Sequence, residues 1–266
     1  GIKSIVGGLN NFLSKNPKYC THAIVAVGVE KLADTTKELL KYGIKNILVE
    51  KPAGLDKNEI KFVCKLAKEK NSNVFVAYNR RFYASTLKAK EIIEKDGGVT
   101  SFNFEFTEWA HEIEPLQKPE GLKKKWFLAN STHVLDLAFY LGGNPKEIST
   151  FTSGGLNWHP SASVFVGAGV SETGVLFSYQ ANWESAGRWG VEMLTNNHRL
   201  IFRPMEKLQI QKKGSLQIDF VEDTDYLLDK KYKPGLNLQT SNFINSKFDR
   251  MLSIKQFNSL LKIYFK

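Results

Sequence analysis

The sequence predicts an α/β protein in two parts, a partial parallel sheet with crossover helices followed by an α+β region with a large, mainly antiparallel sheet. Two observations carry this. Short apolar runs at 22–28, 44–50 and 74–78 alternate with helical patterns, the spacing of parallel strands joined by right-handed crossovers. From residue 101 the period becomes two: Phe102, Phe104 and Phe106 point one way, Asn103, Glu105 and Thr107 the other, giving a sheet with one wet face.

Each element has a local reason. Gly7-Gly8 form an N-cap or turn, and 22–28 is a strand covered on both faces. Residues 31–42 form a helix that stops at Gly43 with a lysine in its last turn. After the strand 44–50, Asp56 and Glu59 make a capping box ahead of Ile60, Val63, Cys64 and Ala67, whose spacing marks one buried helix face. Asn71-Ser72-Asn73 turns the chain into the strand 74–78. A linking helix over 85–95 ends at Gly97-Gly98. Later strands are expected at 163–170, 174–183, 189–195 and 199–203, with Asn196-Asn197 as a hairpin turn that tolerates positive φ. A last helix runs from about Leu238 to the end. The boundary between the two domains falls after residue 97, giving 1–97 and 98–266, with the terminal helix packing back.

Composition bounds the function. The chain has 266 residues, 42% of them hydrophobic, and a net charge of +10. No apolar run reaches the roughly 18 residues that span a bilayer, and the first residues lack a signal pattern. Neither a membrane nor export is expected, and the location expected is cytoplasmic. Cys20 and Cys64 are too few for a disulfide framework or zinc cluster and read as small hydrophobes, so no metal is expected. Most lysines are dispersed singly, and no helix-turn-helix, zinc or RNA-binding signature is present, so nucleic acid is not an expected partner. Lys123-Lys124-Lys125 before Trp126 is the one dense basic run.

Two motifs carry chemistry. Residues 47–54 read Ile-Leu-Val-Glu-Lys-Pro-Ala-Gly, which places the Lys51 ammonium at the carboxyl edge of a parallel sheet, where open α/β folds bind ligands. Residues 131–137 read Ser-Thr-His-Val-Leu-Asp-Leu, with His133 and Asp136 one helical turn apart. Histidine titrates near working pH and suits a general acid/base; Asn130 is available to cap that helix, and Asp136 in its first turn also suits the helix dipole. Glu50 orients the turn held by Pro52. Arg80 and Arg81 have the planar fork that clamps phosphates and carboxylates, or they pair with acids structurally. Trp109, His111, Trp158, His159, Trp183 and Trp189 offer ring faces on which a ligand could stack, although strand aromatics usually form core.

Glu50-Lys51-Pro52 followed by His133 and Asp136, together with the run Val-Ala-Tyr-Asn-Arg-Arg-Phe at 76–82 and Pro234-Gly235 before a terminal helix, resembles the glucose-fructose oxidoreductase and inositol dehydrogenase (Gfo/Idh/MocA) family. The resemblance covers nearly the whole chain. It implies a partial Rossmann-type dinucleotide domain, an α+β substrate domain, and oxidation of a sugar or nucleotide-sugar hydroxyl with NAD or NADP. On that reading Lys51, His133 and Asp136 are catalytic, and Gly28, Glu50, Lys51, Pro52, Asn79 and Arg80 bind cofactor. Where many members have an aspartate four residues before the histidine, this chain has Ala129, which leaves Lys51 and His133 to carry the proton. The expectation is that both groups face one cavity, with a carbohydrate substrate and a homo-oligomer formed through the second-domain sheet.

One part of the family plan has no counterpart. A dinucleotide fold opens with strand, Gly-x-Gly-x-x-Gly and helix, and this sequence contains no such motif. The segment 1–15 resembles the stretch just before the family's fourth strand. The run at 22–28 would then lie at a sheet edge. A longer native chain is the favoured account, ahead of a strand supplied by another chain or a fold rebuilt around the gap. The alternative function is a non-catalytic ligand-binding or regulatory relative without dinucleotide binding.

Overall fold

The computed structural model describes residues 4–15 and 20–264; the expectations on the first three residues and on the last two of the terminal helix lie outside them. In chain order the elements are α1 (Gly8–Ser14), β1 (His22–Val25), α2 (Leu32–Tyr42), β2 (Asn46–Val49), α3 (Lys57–Glu69), β3 (Asn73–Val76), α4 (Ala84–Lys95), β4 (Ser101–Glu105), α5 (Ala110–Ile113), α6 (Thr132–Gly142), β5 (Pro145–Ser153), β6 (Val164–Ser171), β7 (Leu176–Asn182), β8 (Gly190–Leu194), β9 (His198–Phe202), β10 (Gln209–Lys212), β11 (Ile218–Phe220), α7 (Leu227–Lys231), α8 (Leu236–Ile244), β12 (Leu252–Ser253) and α9 (Ile254–Tyr264). The expected fold class is the observed one: a mixed α/β chain with a parallel-rich sheet and a large, mainly antiparallel one.

The chain divides into two compact units. The first comprises residues 1–77 and 251–266, the second 78–250. The sequence pattern places the boundary after residue 97. The divide comes earlier because α4 is tied to the second unit: Ala84 N–H donates to Asp229 and Ser85 Oγ donates to the Met205 carbonyl.

In the first unit β1, β2 and β3 are parallel, in register His22–Asn46–Asn73 through Val25–Val49–Val76, and β12 adds antiparallel to β3. Ile47, Leu48, Val49, Val74 and Val76 are buried, each such side chain worth roughly 1.5–3 kcal/mol of transfer free energy. On α3 the face read from spacing buries Ile60, Val63 and Ala67 but leaves Cys64 half-buried, and α2 buries Leu32, Leu39 and Leu40. Gly43 closes α2 at φ 107°. Asp56 caps α3 by accepting from the Asn58 and Glu59 amides, and the Glu59 carboxylate accepts from the Leu55 amide.

Three expectations fail here. The run at 22–28 is a four-residue strand, and it is not covered on both faces: Ile24 is 50% exposed. Among the described residues it pairs with β2 alone. Cys20 is exposed rather than a buried hydrophobe. The terminal helix is also two elements, α8 in the second unit and α9 in the first, separated by 245–253.

In the second unit the sheet order is β11-β10-β9-β8-β4-β7-β6-β5. Phe102 and Phe104 of β4, Phe177 of β7, Met193 of β8 and Leu200 of β9 are buried on the face that meets α6. Phe139 of α6 stands edge-on to Phe102, Phe104 and Phe177 at 5.1–6.0 Å between ring centroids. On the other face Phe151, Val166 and Leu176 are 74%, 49% and 65% exposed. The hairpin turn after β8 does not use the positive φ expected of Asn196-Asn197; Asp96 accepts from Thr195 Oγ1 and Asn197 Nδ2 and bonds His198 Nδ1, fixing the turn from its side chains.

Candidate active site

The first unit presents the strand-end residues. β2 ends at Val49, and the Glu50 amide still donates to the Val25 carbonyl at 2.9 Å. The chain then turns within four residues: Ala53 N–H donates to the Glu50 carbonyl at 2.9 Å, and the Glu50 carboxylate accepts from the Lys51 amide at 3.2 Å. Glu50 therefore orients the turn locally. Pro52 and Ala53 are buried while Lys51 is half-buried, so the turn is packed at its base and carries the ammonium at its rim. Gly28 lies exposed three residues beyond β1. A Cβ at that position would stand 2.4 Å from the Glu30 carboxylate, so glycine keeps the backbone bare beside an acid. An open backbone and a cation at the carboxyl ends of parallel strands fit a dinucleotide, although the glycine-rich turn that cradles its pyrophosphate is not in this sequence.

The second unit holds the imidazole. Residues 127–131 form a π-helical turn that runs into α6, the kind of irregularity that often accompanies functional sites. His133 is 8% exposed. Its ring lies edge-on to Tyr78 at 5.6 Å and tilted against Trp189 at 6.0 Å. The Tyr78 hydroxyl donates to Thr132 Oγ1 at 2.9 Å, and Thr132 Oγ1 donates to the Leu128 carbonyl at 2.8 Å. This fixes the wall beside the imidazole. Burial, aided by the Asp136 charge, pushes the Tyr78 hydroxyl far above its ordinary pKa, so it stays a neutral donor.

Asp136 lies outside the first turn of α6, so the dipole account of it does not hold. Both its oxygens accept from Arg81: Nη2 to Oδ1 at 2.7 Å and Nε to Oδ2 at 2.9 Å. Burial pushes the Asp136 carboxyl up and the Arg81 fork opposes it. The guanidinium also stacks over Tyr140 at 4.6 Å. Of the two readings offered for Arg81, ligand clamp or internal ion pair, the structure has the second. Asn79 donates its side-chain amide to the Pro234 carbonyl at 3.0 Å, which ties the 79–82 turn to the start of α8. Arg80 rests over Trp189 at 4.9 Å.

Sequence reasoning missed Glu108. It is 1% exposed and accepts from Ser131 Oγ at 2.8 Å and from Asn130 Nδ2 at 3.1 Å, with Arg188 at 3.6 Å. Asn130 therefore does not cap α6; its side chain serves this acid, and the helix start is carried by the π-helical turn instead. Burial raises the Glu108 carboxyl, against Ser131, Arg188 and Asn130. A signal was present, because Glu108 continues the inward parity of Phe102, Phe104 and Phe106. Arg188 lies in the irregular stretch before β8, where no period exists to reveal it.

The aromatic candidates separate cleanly. Trp158 and Trp183 stack at 5.9 Å and 9°, with His159 at 4.7 Å from Trp183; these form core, and burial lowers the His159 pKa. Trp109 is 46% exposed, and His111 lies on the surface. Lys123 donates to the Glu114 carbonyl, as a loop tie. Among the described residues no cluster of three or more His, Cys, Asp or Glu could hold a metal, and no helix is long and apolar enough to cross a membrane.

No protein-family model and no curated protein matches the sequence. Solved structures do. A UDP-N-acetylglucosamine 3-dehydrogenase, GnnA, from Acidithiobacillus ferrooxidans superimposes with a TM-score of 0.71 at 13% identity, over 98% of this chain and 80% of that one. An inositol dehydrogenase homologue from Azotobacter vinelandii, complexed with NADH and myo-inositol, gives 0.68 at 14% over 91% and 73%. A levoglucosan dehydrogenase in complex with NADH and levoglucosan gives 0.68 at 18% over 90% and 75%. The chain has the fold of the Gfo/Idh/MocA-type dehydrogenases, the family its motifs resemble.

Proposed function

We propose that this chain is an oxidoreductase that moves a hydride between a nicotinamide dinucleotide, NAD or NADP, and a hydroxyl or carbonyl of a sugar or nucleotide-sugar. The observation that carries the reading is His133, an imidazole held between Tyr78 and Trp189 on α6, in a fold shared with dehydrogenases of sugars and cyclitols. When bound, the dinucleotide supplies the hydride acceptor at nicotinamide C4. Gly28, Glu50, Lys51 and Pro52 are the residues proposed to hold it; Asn79 acts by fixing the turn that carries Arg80, whose own role is taken to lie with the substrate.

The protein's own part is the proton. As hydride leaves the carbinol carbon, the hydroxyl proton must pass to a base, and His133 takes that role, with the Lys51 ammonium stabilising the developing alkoxide. Asp136 positions Arg81 and the helix rather than the proton. His133→Ala and Lys51→Ala are expected to lower kcat by about 10²- to 10⁴-fold, the span of general acid–base contributions, a far larger effect than their loss of stability. Unchanged turnover in both variants would overturn the assignment.

The second reading is a binding or regulatory relative without dinucleotide affinity. Titrating NADH fluorescence against this chain and against an N-terminally extended form separates the two: quenching of the extended form that saturates supports the oxidoreductase, and none supports the second reading. We also propose that the protein is a soluble homo-oligomer, associated through the exposed face of the second-unit sheet that carries Phe151, Val166 and Leu176.

A further inference from the structure

The second unit concentrates guanidinium groups around one indole. Arg80 and Arg188 lie over the Trp189 ring at 4.9 and 4.8 Å, and the same ring is 6.0 Å from His133. Trp109 backs Arg188 at 4.6 Å, and Tyr83 backs Arg80 at 5.8 Å. Two like charges are thus gathered on one aromatic platform. Such an arrangement costs free energy unless an opposite charge joins it.

The protein supplies little of that opposite charge. Arg81 and Asp136 neutralise each other. Glu108 reaches Arg188 only at 3.6 Å, with its oxygens committed to Ser131 and Asn130. Arg80 is in no ion pair among the described residues; its nearest polar partner is the Asn79 side-chain oxygen at 3.5 Å. Glu206 and Asp136 attract it only from a distance. Two buried donors, Arg80 Nε and Trp189 Nε1, have no hydrogen-bond partner among the described residues. Buried donors of this kind are normally satisfied.

We propose that Arg80, Arg188 and the Trp189 indole N–H form a subsite for an anionic oxygen group, a carboxylate or phosphate, next to His133. Taken with the oxidoreductase reading, on which this part rests, the substrate is an acidic sugar derivative whose charged group lies close to the reacting hydroxyl. Planar guanidinium forks and an indole N–H supply donors without an acceptor among them, so a neutral hydroxyl leaves their charge uncompensated.

The test needs neither turnover nor dinucleotide. Indole and arginine Nε–H resonances of the ¹⁵N-labelled chain are followed while sodium acetate or inorganic phosphate is added, against sodium chloride at matched ionic strength. The Trp189 signal, assigned with Trp189→Phe, and the Arg80 Nε signal should shift saturably. Arg188→Gln, a change at a half-exposed side chain that spares the fold, should weaken that response by roughly tenfold, the cost of one charge-assisted hydrogen bond. A response to acetate alone assigns a carboxylate, and to phosphate alone a phosphate; either supports the subsite. No response beyond chloride, or one unchanged in Arg188→Gln, overturns it. If the anion responses appear while dehydrogenase assays with acidic sugars fail, the oxidoreductase reading falls and the subsite stands.

Discussion

At the scale of single residues, the Arg81–Asp136 pair shows how the chain spends charge. Both groups are buried, and the carboxylate is fully occupied by the fork. Removing one partner of such a pair strands the other, at a cost of about 3–5 kcal/mol. Asp136→Leu should therefore lower the unfolding free energy by that order in urea titrations, and adding Arg81→Met should recover much of the loss. Asp96 offers the pH counterpart. Burial raises its pKa, but the donors from Thr195, His198 and Asn197 outweigh this and hold it below the ordinary carboxylate value. Its folded pKa is depressed, so its stabilisation is present above the unfolded pKa and is lost as pH falls through the folded one. The Tm advantage of the native chain over Asp96→Asn should stay level from neutral pH to just above the ordinary aspartate pKa of about 3.9 and shrink below it. A gap that is the same at every pH would refute this account of the turn.

At the scale of elements, the helix that carries His133 is positioned by packing at its far end. Gly142 closes α6 against Phe102: a Cβ there would lie 2.4 Å from the ring. Gly142→Ala should cost about 1–3 kcal/mol by overpacking, read as a lowered urea midpoint at unchanged slope. At the N-terminus of α3, Asp56 satisfies two amides, and Asp56→Ala should cost about 1 kcal/mol. Most of these elements were legible. The extent of α2, the apolar face of α3 and the alternation of β4 follow from spacing alone. The nine-residue β5 was not, because Pro-Lys-Glu-Ile-Ser-Thr-Phe-Thr-Ser carries no clean alternation and is exposed along nearly its whole length. Its pairing with β6 is set by backbone hydrogen bonds and the bare Gly167 and Gly169 opposite it, which no side-chain pattern announces.

At the scale of the whole molecule, the exposed apolar face of the second-unit sheet leads to a prediction about assembly. Phe151 and Val166 are directly paired across β5 and β6, and an apolar surface of this kind is characteristic of an interface. Sedimentation equilibrium should give a mass above that of one chain, and Val166→Glu should reduce it to the monomer; a monomeric native protein would end the proposal. The edge at β1 belongs to the same scale. Its strand is apolar like a central one, yet Ile24 and Val27 are half exposed among the described residues.

Local pattern was enough for the two sheet types, the apolar face of α3, the strand-end Lys51 turn and the His133–Asp136 spacing, because each depends on periodicity or on residues a few positions apart. Folding in three dimensions pairs Asp136 with Arg81, turns Asn130 to Glu108 rather than the helix end, and brings Arg188 and Arg80 together on Trp189. These partners lie tens of residues apart along the chain, and which one a buried charge takes is settled by long-range packing that no local pattern records.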